Sequence, residues 1–347
     1  MNSQSESFEP EVFSLPQILQ SVFDFEKLIR QKNDALNLPN NSPIEAAGLA
    51  AIAMLETFRS TVPADLMHDN RIEWCKAVAL GDMLRKVMRA KNHPSFEQLW
   101  KHVLLLLDNT NIALNVWNPS VDQDANKVFE LYMALVLAPL CTDLELEDPK
   151  RSGGGKNPDV IALLNDVRWA FACKVMHTDS AETFLQNVRK GVDQIQKSNA
   201  QKGIVVISLK NQLPHDEFWL SERPQTSLAD LLAPGAVDAA VVALKLEQFC
   251  KSYHQRVITE LLSGASAFNE IFRDTKAVPA VLLHLCTTVL VPNDGKPNFR
   301  LMRMFGSLNA DPLPPDLEQT LISLNYSLHG RVSTTPQHLP NTQPLAQ

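Results

Sequence analysis

The chain has 347 residues, a formal net charge of -7 at pH 7, 45% hydrophobic and 20% charged residues. That is an ordinary globular composition, long enough for two domains or one large one. The acidic balance excludes a histone-like or scanning protein held to nucleic acid by global attraction, and leaves room for an enzyme with a local basic groove.

The chain starts with a polar, acidic segment, MNSQSESFEPEVF, which has neither the basic nor the apolar region of a signal peptide. Residues 1–118 then read as an all-helical region on apolar periodicity. Ser42-Pro43-Ile44-Glu45 supplies a cap residue, a Pro at the first helical position and a Glu for a capping box. In the next helix Ile72, Cys75, Ala79, Met83 and Val87 share one face, while Arg85, Lys86, Arg89 and Lys91 read as its solvated side. His93-Pro94-Ser95 breaks the chain before another helix that ends near Leu107.

The polar turn from Asn118 to Gln123 marks an expected domain boundary. Beyond it, residues 119–305 read as helix, strands, helix, strand: an α/β domain with a mixed sheet flanked by helices. Lys127 to Ala138 is helical and stops at Pro139. Asp143 to Glu147 is a short strand. Pro158 to Leu164 and Val167 to Met176 form a hairpin across Asn165-Asp166. A helix runs from Ala181 to Asn199, with Asp179 and Glu182 as a capping pair, and Gly203 to Leu209 is a buried strand. His215, Asp216 and Glu217 read as a polar loop. Val237 to Leu262 reads as a long helix, and Val278 to Val291 and Arg300 to Phe305 as further strands. Residues 306–347 form a C-terminal segment, whose last roughly 17 residues are rich in Pro, Gln, Thr and Asn and expected to be disordered.

Five scattered cysteines (Cys75, Cys141, Cys173, Cys250 and Cys286) form no CxxC pair and no Cys/His cluster. They read as reduced thiols of a cytoplasmic protein rather than as a disulfide or zinc framework. The longest apolar stretch, Ala277 to Val291, is too short and interrupted to span a bilayer, so no membrane partner is expected. Gly155-Lys156 lacks the following Ser or Thr of a phosphate-binding P-loop.

Three polar residues sit in apolar surroundings. Glu130 lies within Val128-Phe129-Glu130-Leu131-Tyr132-Met133-Ala134, apolar nearly all round. A carboxylate there costs free energy unless paired or bound to a metal. A partly exposed position near the helix start is the equal alternative. In the hairpin, a two-residue loop pairs Leu164 with Val167 and so sets Asp159 opposite Ala172. Lys174 then shares their face, with Ala170 and Ala172 expected to leave open space beside it. A structural Asp–Lys ion pair on a solvated sheet face is the alternative. Gln194 sits at the edge of the inward stripe of Leu185, Val188, Val192 and Ile195, and reads by default as exposed.

The order of these elements resembles the αβββαβ core of the PD-(D/E)xK, or restriction-endonuclease-like, nuclease superfamily. Glu130 matches the family's helix Glu, Pro158-Asp159 its Pro-Asp, Ala172-Cys173-Lys174 its (Asp/Glu)-x-Lys, and Asp193-Gln194-Ile195 its helix Gln. The likeness covers roughly Asp122 to Asn211 and departs from the pattern at Ala172, where the family carries a carboxylate. The resemblance implies a nuclease hydrolysing phosphodiester bonds, DNA before RNA, in a restriction or anti-phage defence setting. Glu130, Asp159, Lys174 and Gln194 would be the catalytic set, and Glu130 and Asp159 would hold Mg²⁺ or Mn²⁺. Glu145, Glu147 or Asp193 could supply a displaced carboxylate. Lys150, Arg151 and Lys156 around Gly153-Gly154-Gly155 would meet the nucleic acid, against the plainer reading of a mobile loop. The alternative implied by Ala172 is an inactive nuclease-like module that binds nucleic acid or a partner protein. A homodimer or protein partner would use the helical N-terminal region.

Overall fold

The computed structural model describes residues 12–32, 42–59, 71–108, 112–118, 123–147, 158–219, 239–261, 265–293, 296–309 and 311–328. The glycine-rich segment with Lys150, Arg151 and Lys156, the turn residues 119–122 and the Pro- and Gln-rich tail lie outside the described residues.

The N-terminal part is helical, as its periodicity predicts: α1 (Leu15–Lys32), α2 (Pro43–Arg59), α3 (Arg71–Ala90), α4 (Phe96–Val103) and the one-turn α5 (Leu105–Asp108). A two-residue strand, β1 (Val12–Phe13), precedes them. The backbone N–H of Glu45 donates to Ser42 Oγ at 3.1 Å, the cap expected at the start of α2. In α3, Cys75, Ala79, Met83 and Val87 are buried as predicted, but Ile72 of the same expected face is 45% exposed, and Lys86, expected on the solvated side, is buried at 4% exposure. The charges at 85 and 86 are therefore not one solvated face. Arg85 lies over the Phe13 ring at 4.2 Å, and Lys86 is drawn inward by Asp82 one turn earlier.

The following elements are α6 (Gln123–Leu137), β2 (Leu144–Leu146), β3 (Val160–Leu164), β4 (Val167–Val175), α7 (Ala181–Lys197), β5 (Lys202–Ser208), α8 (His215–Trp219), α9 (Ala239–Leu261), α10 (Ala265–Phe272), β6 (Ala277–Asn293), β7 (Lys296–Asn309) and α11 (Pro315–Leu328). The protein is thus α/β, with one mixed sheet in the order β1-β7-β6-β5-β4-β3-β2. Strands β2, β3 and β4 form an antiparallel meander; β5 runs parallel to β4, and β6 parallel to β5. The connection from β4 to β5 passes through α7, as a parallel crossover requires. A long antiparallel hairpin of β6 and β7 completes the sheet, and β1 adds to its far side.

The β3–β4 register is the predicted one, Leu164 opposite Val167. Asn165 and Asp166 both take positive φ, 48° and 62°. Such a two-residue turn matches the right-handed twist of the strands it joins.

Each face of the sheet has its own core. On one, Phe171, Cys173 and Val175 of β4 pack with Phe129, Met133 and Val136 of α6 and with the N-terminal helices. On the other, Ala170 and Ala172 pack with Val188, Val192 and Ile195 of α7 and Val205 of β5. The first cluster runs from Phe13 to Leu324, so the N-terminal helices and the sheet share one core across the boundary expected at residue 118. Two local expectations are corrected. Ser180, not Asp179, caps α7 by accepting from the Thr183 N–H, and Asp179 instead pairs with Arg256. Residues 215–219 form a short helix rather than a polar loop, with His215 buried.

All five cysteines are free thiols. Among the described residues no helix is long and apolar enough to cross a membrane.

Candidate active site

The start of α6 is fastened to the end of β4, because Asn126 Oδ1 accepts a hydrogen bond from the Val175 N–H at 3.0 Å. One turn on, Glu130 is carried into the core with Phe129, Met133 and Ala134, and is 2% exposed. Its Oε2 accepts from Lys127 Nζ at 2.8 Å, and His102 Nε2 lies 3.9 Å from the same oxygen.

Asp159 stands just before β3, beside β4. Its Oδ2 accepts from the Cys173 N–H at 2.6 Å and from Lys174 Nζ at 3.2 Å. The same ammonium donates to the Cys173 carbonyl at 2.9 Å. Asp159 is buried and Lys174 half-buried, so this is a partly enclosed pair rather than one on a solvated sheet face.

The two carboxylates feel each other. Burial first, and then the charge of Asp159, push the Glu130 carboxyl up from 4.5 to about 8; Lys127 and Lys174 oppose that rise. Lys127 is in turn held above its ordinary value by Glu130, Asp159 and Glu147 against the cost of its burial. Asp159–Lys174 and Glu130–Lys127 are thus two contact pairs that come within reach of each other's charge. They do so at the strand ends and not across one sheet face. Glu130 arrives from the side covered by α6, whereas strand alternation puts Lys174 with Ala170 and Ala172 on the side covered by α7.

The open space expected beside Ala172 is absent. Ala172 is fully buried, and Gly191 of α7 lies directly on it. A Cβ at Gly191 would meet the Val205 methyls at 2.8 and 3.0 Å and the Ala172 Cβ at 3.2 Å. Gln194 lies three residues further along α7, about 4.5 Å by helix rise. It is 5% exposed rather than solvated, because this side of α7 lies flat on the sheet.

Of the carboxylates that could replace the missing one, Asp193 is exposed and paired with Lys197, and Glu145 pairs with Arg168. Glu147 is nearer: its N–H donates to the Asp159 carbonyl at 3.3 Å, and its charge bears on Lys127. A cleft of about 270 Å³ opens nearby, lined by Glu145, Glu147, Pro158, Ile161, Lys197 and Asn199; Glu130, Asp159, Lys174 and Gln194 are not in its wall.

The donor set fits a divalent cation at the lower limit. Among the described residues no three Asp, Glu, His or Cys side chains are grouped to hold a metal. Mg²⁺, however, needs only one or two carboxylates, with water and substrate oxygens completing its shell. The buried carboxylates of Glu130 and Asp159, 2% and 4% exposed, carry the fit. Two ammonium groups do not offset burial and the neighbouring charge, so further positive charge between Glu130 and Asp159 is favoured.

Lys127 and Asn126 escaped the sequence reading. Lys127 had a signal, its i,i+3 spacing from Glu130. Asn126 had none, since its partner lies 49 residues away in sequence. Comparison with known proteins returns nothing: no family model, no curated protein and no solved structure matches the chain.

Proposed function

We propose that the chain is a metal-dependent nuclease that hydrolyses phosphodiester bonds, DNA before RNA, with a restriction-endonuclease-like core formed by α6, β2–β5 and α7. The observation that carries this reading is the contact of Asp159 with Lys174 at the ends of β3 and β4, within reach of the charge of Glu130. The topology supports it: a helix, an antiparallel meander, a crossover helix and a parallel strand, in the spatial order β5-β4-β3-β2.

Glu130 and Asp159 would hold Mg²⁺ or Mn²⁺. The metal would supply charge stabilisation and a nucleophilic water at neutral pH. Asp159 is oriented for this by the Cys173 N–H, which fixes one of its oxygens. Lys174 reaches the same oxygen and the Cys173 carbonyl, and from there its ammonium would stabilise charge on an attacking water or a phosphate oxygen. Lys127 donates to Glu130 and favours its ionised form. Gln194, buried one turn beyond Gly191, would orient the site from the α7 side.

A specific observation favours a second reading. Ala172 stands where a metal-binding carboxylate would be needed, and Gly191 closes the space above it. On that reading the core binds nucleic acid or a partner protein without cutting.

Labelled DNA and RNA, incubated with Mg²⁺, with Mn²⁺ and with EDTA, separate the two. The nuclease reading expects cleavage that is lost in EDTA, in Asp159→Asn and in Lys174→Met. Binding by the wild type without cleavage under any of these conditions overturns it in favour of the second.

A further inference from the structure

Strands β4, β5 and β6 run parallel, and β6 continues past the last residue of β5, Ser208, which pairs with His284. In open α/β sheets ligands enter outside the carboxyl ends of such strands. A cavity of about 420 Å³ lies there, walled by the start of α3, by residues 115–117, by the start of α8 and by Thr287 and Thr288 of β6. That is ample for a small organic ligand.

The Asn115 and Thr287 donors in this wall are spent on the protein. Asn115, at 1% exposure, donates through Nδ2 to the Cys75 carbonyl at 2.7 Å and to Thr288 Oγ1. His215 Nε2 stands 2.6 Å from the Lys210 carbonyl, which can only accept, so Nδ1 is left to accept from the Thr287 hydroxyl at 3.1 Å. Two acceptors are not spent. Among the described residues Asn115 Oδ1 has no donor, and the exposed Glu217 carboxylate is in no ion pair. A buried acceptor without a donor costs free energy that a ligand N–H would recover.

That N–H belongs to a neutral group. Arg71 pairs with Asp216 in the wall. Burial, with Arg71 and Lys210 acting in the same direction, holds His215 down from 6.5 to about 4, so its ring is uncharged at neutral pH. An ammonium ligand would meet the Arg71 and Lys210 charges, and a neutral amine would not. Trp117, 60% exposed, offers a ring face, and Ile72, Val116 and Leu213 add apolar surface. Planar heterocycles stack on such a ring.

We propose that this cavity binds a neutral, amine-bearing nucleobase, its ring on Trp117 and its exocyclic amine turned to Asn115 Oδ1. A free nucleoside and an unpaired base of a nucleic-acid strand offer the same chemistry. The site is independent of the nuclease reading, because neither the Asp159–Lys174 pair nor the Glu130–Lys127 pair lies in its wall.

The test is calorimetry of the full chain, in EDTA so that no strand is cut, with adenosine, purine riboside, butylamine and a short single-stranded oligodeoxyadenylate. Adenosine is expected to bind 1:1 and about tenfold more tightly than purine riboside, which differs only in lacking the amine. Trp117→Ala, at an exposed position, should weaken adenosine by about tenfold or more. Asn115→Leu should bring adenosine down to the level of purine riboside. If that variant does not fold, Trp117→Ala and the two nucleosides on the wild type decide. Displacement of adenosine by the oligodeoxyadenylate assigns the base to a strand, and its failure to displace assigns it to a free nucleoside. Equal binding of adenosine and purine riboside, no binding of either, butylamine binding as tightly as adenosine, or adenosine binding unchanged in Trp117→Ala overturns the proposal.

Discussion

Gly191 of α7 rests on Ala172 of β4 so closely that even one added methyl would collide with Val205. This contact, and not the strand register, decides what Ala172 can become. Ala172→Asp restores the residue type that the nuclease resemblance lacks, but buries its carboxylate under a helix backbone. It is expected to destabilise the fold by about 3 kcal/mol or more and to give no gain in cleavage. Gly191→Ala should also destabilise, by about 1 kcal/mol, although alanine is the better helix former; overpacking outweighs the propensity gain. Urea denaturation measures both.

Glu130 makes the metal-free fold sensitive to base. Its carboxyl titrates near 4.5 when unfolded and near 8 when folded, so the folded state binds more protons throughout that window. Stability must therefore fall as pH rises from about 4.5 to about 8. Glu130→Gln removes that slope. In EDTA at pH 8 the variant is expected to be more stable than wild type by about 2 kcal/mol or more, while losing any metal-dependent cleavage. Equal slopes in denaturation series at pH 5, 6.5 and 8 would refute this.

His284 behaves in the opposite sense. It is fully buried among the rings of Phe129, Tyr132 and Phe305, and among the described residues neither ring nitrogen has a hydrogen bond. Burial, with Arg303 and Lys86, holds its pKa down from 6.5 to about 3. The unfolded chain binds the extra proton between those values, so stability falls as pH drops through them. His284→Leu is expected to lie within about 1 kcal/mol of wild type at pH 7, since no hydrogen bond is lost, and to lose less stability by pH 5. Thermal melts at the two pH values test it.

Asp82 joins α3 to β7 through Arg303. Asp82→Asn leaves Lys86 and Arg303 buried without the carboxylate between them, and is expected to cost about 3–5 kcal/mol. In the wild type, Arg303 and Lys86 outweigh the cost of burial and hold Asp82 down from 3.8 to about 2. The stabilisation by the ionised carboxylate is present above pH 3.8 and lost as pH falls towards 2. The acid limb of the wild-type stability curve should thus be missing from the variant.

What the sequence revealed of this fold was local. The β3–β4 pairing followed from Asn165-Asp166, whose short polar side chains tolerate positive φ. The face shared by Asp159 and Lys174 then followed from counting. Glu130 could be placed on an apolar helix, but not decided between buried and exposed, because Lys127 and Asp159, which respectively compensate and raise its carboxyl, come from different distances along the chain. Lys86 was misread as solvated because Arg303, which shares its carboxylate, is more than two hundred residues away. Gln194 was misread for a related reason. Nothing within α7 says that the helix lies flat on the sheet; Val205 and Ala172 say it, and they belong to other strands.

The far side of the sheet imposes an order on biosynthesis. Val12 and Phe13 pair with Arg300 and Phe299, so a strand made among the first residues waits for one made near the end. During translation β7 emerges late, with an outer edge that Val12 and Phe13 cover at one end and the Asn325 side chain covers at Phe305. A nascent chain in which β1 is held elsewhere would present that edge to other chains and leave the place of the buried Phe13 ring unfilled, so coaggregation would accompany a loosened core.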